Sequence, residues 1–347
     1  MSAPPDQPGS AGGAGTAGTP ALEVRDLHVE FRSRRRLVHA VNGLSYRVRR
    51  GETLAIVGES GAGKTVAAHA VMGTLTAASA RITHGEVWLD GRELTRLPER
   101  ERRRIRGRRM AIIVQDSLSA LNPLFTVKNQ IGEMFRFHGG MSKRSAEAAA
   151  VDLMDRVGIP DAQRRGRAYP HEFSAGLRQR IMIAMALALE PDVLIADEPT
   201  SALDVTVQAQ VMGLLESMQR ELGLGLVLIT HDLGLVAEVA DQVVVMYAGR
   251  AVEESPVGEL YCRPAHPYTI GLMTSIPRLD RPEEALRPIP GAPPDLSMIP
   301  AGCPFHPRCP FARHRCQTEA PVLREVGPGR RSACHFAEQM LEGAGSA

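Results

Sequence analysis

Gly58-Glu59-Ser60-Gly61-Ala62-Gly63-Lys64-Thr65 is the stretch on which the reading of this 347-residue chain turns. It fits the pattern G-x-x-x-x-G-K-[ST], a glycine-rich loop that cradles phosphate. Glycines let successive backbone N–H groups curl around an anion, and the helix that follows points its positive end at the same place. Lys64 is a compact charge within reach of the β and γ phosphates, and the Thr65 hydroxyl can take a place on Mg²⁺. The context agrees. The apolar run Thr53–Val57 enters the loop as a strand, and an amphipathic helical stretch leaves it. The chain holds three lysines, Lys64, Lys128 and Lys143, among 41 basic residues. Arginine serves almost everywhere else, so Lys64 marks a site where a planar fork is no substitute for a compact ammonium.

Three more short apolar runs, Val193–Ala196, Leu226–Ile229 and Val243–Met246, each lie beside a helical stretch, as in a parallel sheet flanked by helices. Upstream, Leu22, Val24, Leu27, Val29 and Phe31 alternate with polar residues, as do Leu44, Tyr46 and Val48. That period of two predicts antiparallel strands. From about 117 to 176 the chain reads as a helical insert, with Ser145–Val157 as its clearest helix. Residues 1–20 are mostly Gly, Ala, Pro, Ser and Thr with almost nothing to bury, which predicts a disordered tail. The main α/β domain is expected over 21–255. After it, at 256–347, proline becomes frequent and all five cysteines appear, which predicts a separate, loop-rich extension. No internal repeat is visible.

Charge and hydropathy exclude two classes. Forty-one Lys and Arg against 39 Asp and Glu leave a net charge of +2, which argues against bulk neutralisation of nucleic acid. The longest apolar helical run, Ile181–Leu189, is too short to span a bilayer. No signal peptide is visible, so the chain is expected in the cytoplasm with reduced cysteines. The arginine-rich stretch Arg100–Arg109 begins among Glu99 and Glu101 and reads as a solvated helix face, with a lipid-headgroup contact as the alternative.

A second acidic piece follows an apolar run: Leu194-Ile195-Ala196-Asp197-Glu198. Alone, such a strand end is as often a solvated turn. Beside a phosphate loop, Asp197 suits a Mg²⁺ held through water, and Glu198 suits a base that polarises the attacking water. His231, after the run ending at Ile229, is placed to bond a γ-phosphate or that water through a neutral imidazole.

In this order the residues resemble the nucleotide-binding subunit of an ABC transporter, a P-loop NTPase with an antiparallel β subdomain and a helical subdomain. Gly58–Thr65 matches its phosphate loop, and Gln115 its Q-loop glutamine. Phe173-Ser174-Ala175-Gly176-Leu177 matches its signature, and Leu194–Asp197 with Glu198 its acidic strand. Ser201–Asp204 matches its D-loop, and His231 its switch histidine. The resemblance covers roughly residues 22–255. It implies ATP held by Gly58, Glu59, Ser60, Gly61, Ala62, Gly63, Lys64 and Thr65. Mg²⁺ falls to Thr65, Gln115 and Asp197, with Glu198, His231 and Gln115 in catalysis and Phe31 stacked on adenine. Ser174, Gly176 and Asp204 then serve the ATP of a second subunit across a head-to-tail dimer. Two departures stand out: Ala175 replaces the first signature glycine, and Ser117 stands where related chains often carry proline.

The extension narrows the resemblance. Tyr261-Cys-Arg-Pro-Ala-His266-Pro-Tyr268-Thr is similar to a motif of dipeptide and oligopeptide importers, as is Gly291-Ala-Pro-Pro-Asp-Leu296. Cys303, Cys309, Cys316 and Cys334 follow with the spacing C-x5-C-x6-C-x17-C. Without a CxxC this is a poor zinc ribbon. Four thiolates in a proline-rich loop can hold a [4Fe–4S] cluster, bind zinc, or remain free thiols. The resemblance implies the [4Fe–4S] cluster, and Cys262 is left as an ordinary thiol. The implied role is an ATP-hydrolysing subunit on the cytoplasmic face of the membrane. Its partners would be a second ATPase subunit, two transmembrane permeases and, indirectly, an extracytoplasmic solute-binding protein, with no nucleic acid. Peptides are the expected cargo, and nickel, glutathione or another small solute the alternative. ABC ATPases of DNA repair need long coiled coils or zinc CxxC pairs, and those of translation carry two phosphate loops; neither feature is present.

Overall fold

Short apolar runs separated by helical stretches can pair in parallel only if each connection crosses back over the sheet, and this chain does that repeatedly. The computed structural model describes residues 18–32, 36–75, 80–116, 120–201, 203–275 and 288–343. Its strands are β1 Leu22–Arg32, β2 Leu37–Val48, β3 Thr53–Val57, β4 Ala80–Leu89, β5 Arg92–Glu93, β6 Met110–Ile113, β7 Val193–Asp197, β8 Gly225–Thr230, β9 Gln242–Tyr247, β10 Arg250–Pro256, β11 Arg324–Gly327 and β12 Arg330–Ser332. The larger sheet runs β11-β12-β10-β9-β3-β8-β7-β6, parallel from β9 to β6 and antiparallel from β9 outward. A second, antiparallel sheet runs β2-β1-β4-β5. The four apolar runs read from the sequence are β3, β7, β8 and β9, lengthened by at most a residue at each end.

Alternation along the strands sorts residues into three apolar layers. On β7, Leu194 and Ala196 face the helices Val127–Phe137, Lys143–Arg156 and Ala175–Leu187, while Val193 and Ile195 face the antiparallel sheet and the helix Lys64–Met72. On β3, Leu54 and Ile56 join that second layer. Ala55 and Val57 face the third, which the extension builds from Tyr268, Phe305, Cys303 and Cys316. The insert holds the helix expected over Ser145–Val157 as Lys143–Arg156; Ser142 caps it by accepting from the Ser145 N–H at 3.2 Å.

The extension is not the separate appendage its composition suggests. β10 runs to Pro256, across the expected 255/256 boundary, and β12 pairs with it at Glu253↔Ser332 and Glu254↔Arg331. A proline-rich segment has too little apolar surface for its own core, so it completes one by packing on β3 and β9. Within the arginine-rich stretch, Glu99 faces Arg102, Arg103 and Arg106 at 3.4, 3.5 and 2.8 Å, as a solvated, ion-paired helix face would. Among the described residues no helix is long and apolar enough to cross a membrane. Of the tail expected over 1–20, residues 1–17 lie outside the described residues, as do Ser117 and Ala202.

Candidate active site

β3 delivers the chain into the glycine loop at the middle of the sheet, between β8 and β9. Two glycines are obligatory there. A Cβ on Gly58 would lie 2.3 Å from the Met246 carbonyl oxygen, and one on Gly63, at φ +99°, would lie 2.2 Å from that of Ala40. The loop therefore passes against backbone on two sides, which no side chain allows. Lys64 opens the following helix, buried, and its Nζ donates to the carbonyls of Gly58 at 2.7 Å and Glu59 at 3.1 Å. Burial lowers its pKa, and Glu198, Asp197 and Glu59 oppose that shift. The ammonium thus closes the loop on itself, in the place where phosphate oxygens would compete for it.

Asp197 ends β7, fully buried, and its Oδ1 has no hydrogen-bond partner. Desolvation raises its pKa; the Thr65 hydroxyl bonds the carboxylate and works the other way. An orphaned buried carboxylate oxygen beside a threonine hydroxyl is a donor set suited to a hard divalent cation. Glu198, the next residue, sits at φ +46° and donates its N–H to the Ile229 carbonyl at 2.8 Å, which turns its side chain out of the strand. Its Oε2 accepts from Gln115 Nε2 at 2.8 Å, and its Oε1 lies 3.2 Å from His231 Nδ1. The Glu198 side chain is 16% exposed and that of His231 is 62% exposed, so the carboxylate stands at the wall of an open cleft. That cleft, about 610 Å³, is lined by Gly58, Glu59, Ser60, Gln115, Glu198 and His231, and on its far side by Leu272, Ser275, Pro288 and Ile289 of the extension. The first turn of the loop, the Glu198 carboxylate, one imidazole and one amide therefore meet on a shared volume, while Lys64, Thr65 and Asp197 lie outside its lining.

Ser174, Gly176 and Asp204 do not line this cleft. Ser174 caps the helix Ala175–Leu187 by accepting from the Leu177 N–H at 3.4 Å, and Asp204 caps the helix Val205–Leu222 by accepting from the Val207 N–H at 3.0 Å. Gly176 packs on that second helix: a Cβ there would lie 2.5 Å from Val207 Cγ1. Ser174 and Asp204 are exposed, so this second surface is open to a partner. Phe31 is half-buried on β1, packed against the layer of Leu22 and Val24, and lies outside the cleft.

In the extension, Cys303, Cys309, Cys316 and Cys334 line one small cavity of about 20 Å³, together with Phe305, Phe311 and Phe336. Burial pushes the Cys309 thiol up to about 11 and the Cys334 thiol up to about 12, and the charges of the neighbouring thiols add to both shifts. Cys303 moves in the same direction. Among the described residues no group of three or more His, Cys, Asp or Glu is gathered to hold a single ion. The four sulfurs share this apolar cavity with the imidazoles of His266, His306 and His335, and no carboxylate lines it. Cys262 is exposed at a helix end, apart from the cavity.

Sequence reading missed the residue that joins this extension to the phosphate loop. Arg308, between Pro307 and Cys309, is buried and bonds both carboxylate oxygens of Glu59. No periodicity announces it, because it sits in a short 3₁₀ turn, His306–Arg308.

Comparison with known proteins agrees with this geometry. Residues 41–201 match the family described as ABC transporter, and residues 252–316 match the oligopeptide/dipeptide transporter, C-terminal region. The oligopeptide transport ATP-binding protein OppD of Salmonella typhimurium is 50% identical over 313 residues, covering 90% of this chain and 92% of that protein. The dipeptide transport ATP-binding protein DppD of Bacillus subtilis is 50% identical over 321 residues, covering 92% and 96%. Among solved structures, the ATP-binding cassette MJ0796 bound to ADP and Pi superposes with a TM-score of 0.61 over 68% of this chain and 98% of its own, at 24% identity; it supports the fold alone. The cassette cbiO1 of Clostridium perfringens gives 0.59 over 70% and 91%, at 26% identity.

Proposed function

This chain belongs to the ATP-binding proteins of ABC-type oligopeptide and dipeptide transporters, and from that premise we propose that it hydrolyses ATP to drive peptide import through membrane permeases. The observation that carries the reading is the cleft where the Gly58–Ser60 loop, Glu198, Gln115 and His231 converge, in a chain whose curated relatives are named for peptide transport.

What supports the proposed roles is the convergence of the loop, Glu198, Gln115 and His231 on one cleft. Loop N–H groups and Lys64 bind the β and γ phosphates. Thr65 and Asp197 would hold Mg²⁺, with Gln115 reaching the same region, and the ion's charge would offset that of the phosphates. Glu198 takes the proton of the attacking water, and His231 and Gln115 orient the carboxylate. Ser174, Gly176 and Asp204, outside the cleft, meet the ATP of a second ATPase subunit, so two subunits close head to tail over two nucleotides. Closure changes the shape of the permeases and hydrolysis reopens the pair, a two-state element biased by nucleotide. The chain would work at the cytoplasmic membrane face as a peripheral subunit. Its domains would divide as a main cassette over 21–255, with the helical insert near 117–176 as relay, and an extension over 256–347 whose β12 joins the cassette's sheet beside β10. Cys303, Cys309, Cys316 and Cys334 would hold a [4Fe–4S] cluster as a staple for that extension; what supports it is their shared cavity.

The test is reconstitution with the partner ATPase, the permease pair and the binding protein in vesicles. The expected result is ATP-dependent uptake of labelled di- or oligopeptides and ATPase activity stimulated by peptide-loaded binding protein. Uptake of nickel or glutathione instead, with peptides ignored, would overturn the cargo assignment.

A further inference from the structure

The loop that holds phosphate carries a carboxylate of its own. Glu59 follows the first loop glycine, its side chain is 27% exposed, and it lines the same cleft as Glu198 and His231. A bare charge there would oppose every phosphate brought into the loop, because like charges a few ångströms apart in a partly dry cleft repel strongly. The chain answers it from 249 residues away. Arg308 Nη1 donates to Glu59 Oε2 at 2.6 Å and Nη2 to Oε1 at 2.9 Å, a bidentate pair. The guanidinium is itself fixed: Nε donates to the Pro290 carbonyl at 2.9 Å, Nη1 also donates to the Tyr247 hydroxyl at 3.3 Å, and the side chain is 5% exposed. The backbone of Glu59 is held from the same side, its N–H donating to the Tyr268 hydroxyl at 2.8 Å. Tyr247, Tyr268 and Phe305 pack with ring centroids 4.6 to 5.3 Å apart beneath these contacts, on the face of β3 that leads into the loop.

We propose that Arg308 is a positioning residue for ATP binding: from the cysteine-bearing extension it neutralises Glu59 and fixes the first turn of the phosphate loop. A surface ion pair would do neither, since it gives way to solvent at little cost. A buried fork with four hydrogen bonds does not follow the loop when the loop moves, so the loop keeps the shape the extension dictates. ATP affinity is then a property of the cassette and the extension together. The proposal rests on Gly58–Thr65 as the phosphate site.

The test measures binding of MgATP, MgADP and AMP to the full-length protein by displacement of a fluorescent trinitrophenyl nucleotide, with thermal midpoints read alongside. Arg308→Met is expected to weaken MgATP on the order of tenfold. It should weaken MgADP less and AMP least, because the exposed Glu59 charge acts on phosphates. Adding Glu59→Gln to that variant is expected to recover most of the ATP affinity. Wild-type ATP binding by Arg308→Met overturns the proposal. So does an equal loss for all three nucleotides that Glu59→Gln does not relieve, since that is the mark of a merely structural arginine. Should Arg308→Met fail to fold, Arg308→Lys carries the test: it keeps the charge but not the fork, and wild-type nucleotide binding by it overturns the clamp. Lys64→Ala, run beside these, separates the two failures: its own wild-type binding would sink the phosphate site, whereas its loss of binding leaves only the role of Arg308 in question.

Discussion

Glu198→Gln separates the base from the framework around it. In the protein, Glu198 Oε2 accepts from Gln115 Nε2 at 2.8 Å and Oε1 faces His231 Nδ1 at 3.2 Å. Glutamine has the same volume, keeps an acceptor for Gln115 and gives an N–H to a neutral His231 nitrogen. Both contacts survive, so the loop geometry and the fold survive with them. What goes is the basicity. A positioned general base contributes roughly 10²- to 10⁴-fold to a rate. At about 1.36 kcal/mol per decade, the barrier rises by about 3–5 kcal/mol. Ground-state binding moves the other way, because one negative charge leaves the wall against which the γ-phosphate would sit. The variant is therefore expected to lose kcat while its nucleotide affinity holds or tightens, and to accumulate an ATP-bound closed dimer. Phosphate release under steady state gives kcat, equilibrium binding gives the affinity, and size-exclusion chromatography in MgATP gives the dimer. A kcat within about threefold of the wild-type value would remove Glu198 from the base role. A parallel collapse of ATP binding would show instead that the carboxylate builds the site.

Protein purified without oxygen is expected to be brown, with about four irons per chain, and Cys309→Ser to lower that content; colourless protein carrying zinc would refute the cluster. Ser174→Arg, made in the Glu198→Gln background, should leave ATP bound but abolish the closed dimer, because Ser174 is exposed outside the cleft; a dimer that still forms would take the signature out of the interface. Glu253 is fully buried on β10, accepts from the Ala265 N–H at 2.6 Å, and burial raises its pKa to about 7 from 4.5. A raised folded-state pKa means the protonated form stabilises the fold. That contribution is complete below about pH 4.5 and is lost as pH climbs through about 7. Glu253→Gln keeps the acceptor for Ala265 without the ionisation, so its thermal midpoint should gain on the wild type between about pH 5 and about pH 8; a constant difference would show that Glu253 ionises alike in the folded and unfolded chains.

Sequence signals were strongest where one physical cause acts locally. Thr53–Val57 was legible as β3 because an unbroken apolar run feeding glycines fits only a buried strand and a tight loop. The carboxylate pair Asp197 and Glu198 stood out because it closes an apolar strand, and the Oδ1 of Asp197 is buried there without a hydrogen-bond partner. Phe31 was a weaker inference: alternation on β1 accounts for it as a strand residue packed on the neighbouring layer, and nothing local distinguishes a ring that packs from a ring that stacks on a base. The antiparallel pairing of β10 with β12 was not legible at all. It joins residues far apart in the chain through short strands, and two- or three-residue pairings leave no period to read.

The extension shows why composition misled. Proline density and irregular cysteines describe how a segment is built, and they predicted something hung on the outside. Where it docks is decided by its few large side chains, and Tyr268 and Phe305 are fully buried against β3 and β9. Beside those rings Arg308 reaches Glu59 with both terminal nitrogens, so the extension pairs the one carboxylate that the phosphate-loop pattern carries. Glu59 read as one of the variable positions of the loop pattern, where any residue suffices. In this fold it is one of the residues through which the extension meets the cassette, and the pattern is silent about it because its partner lies 249 residues downstream.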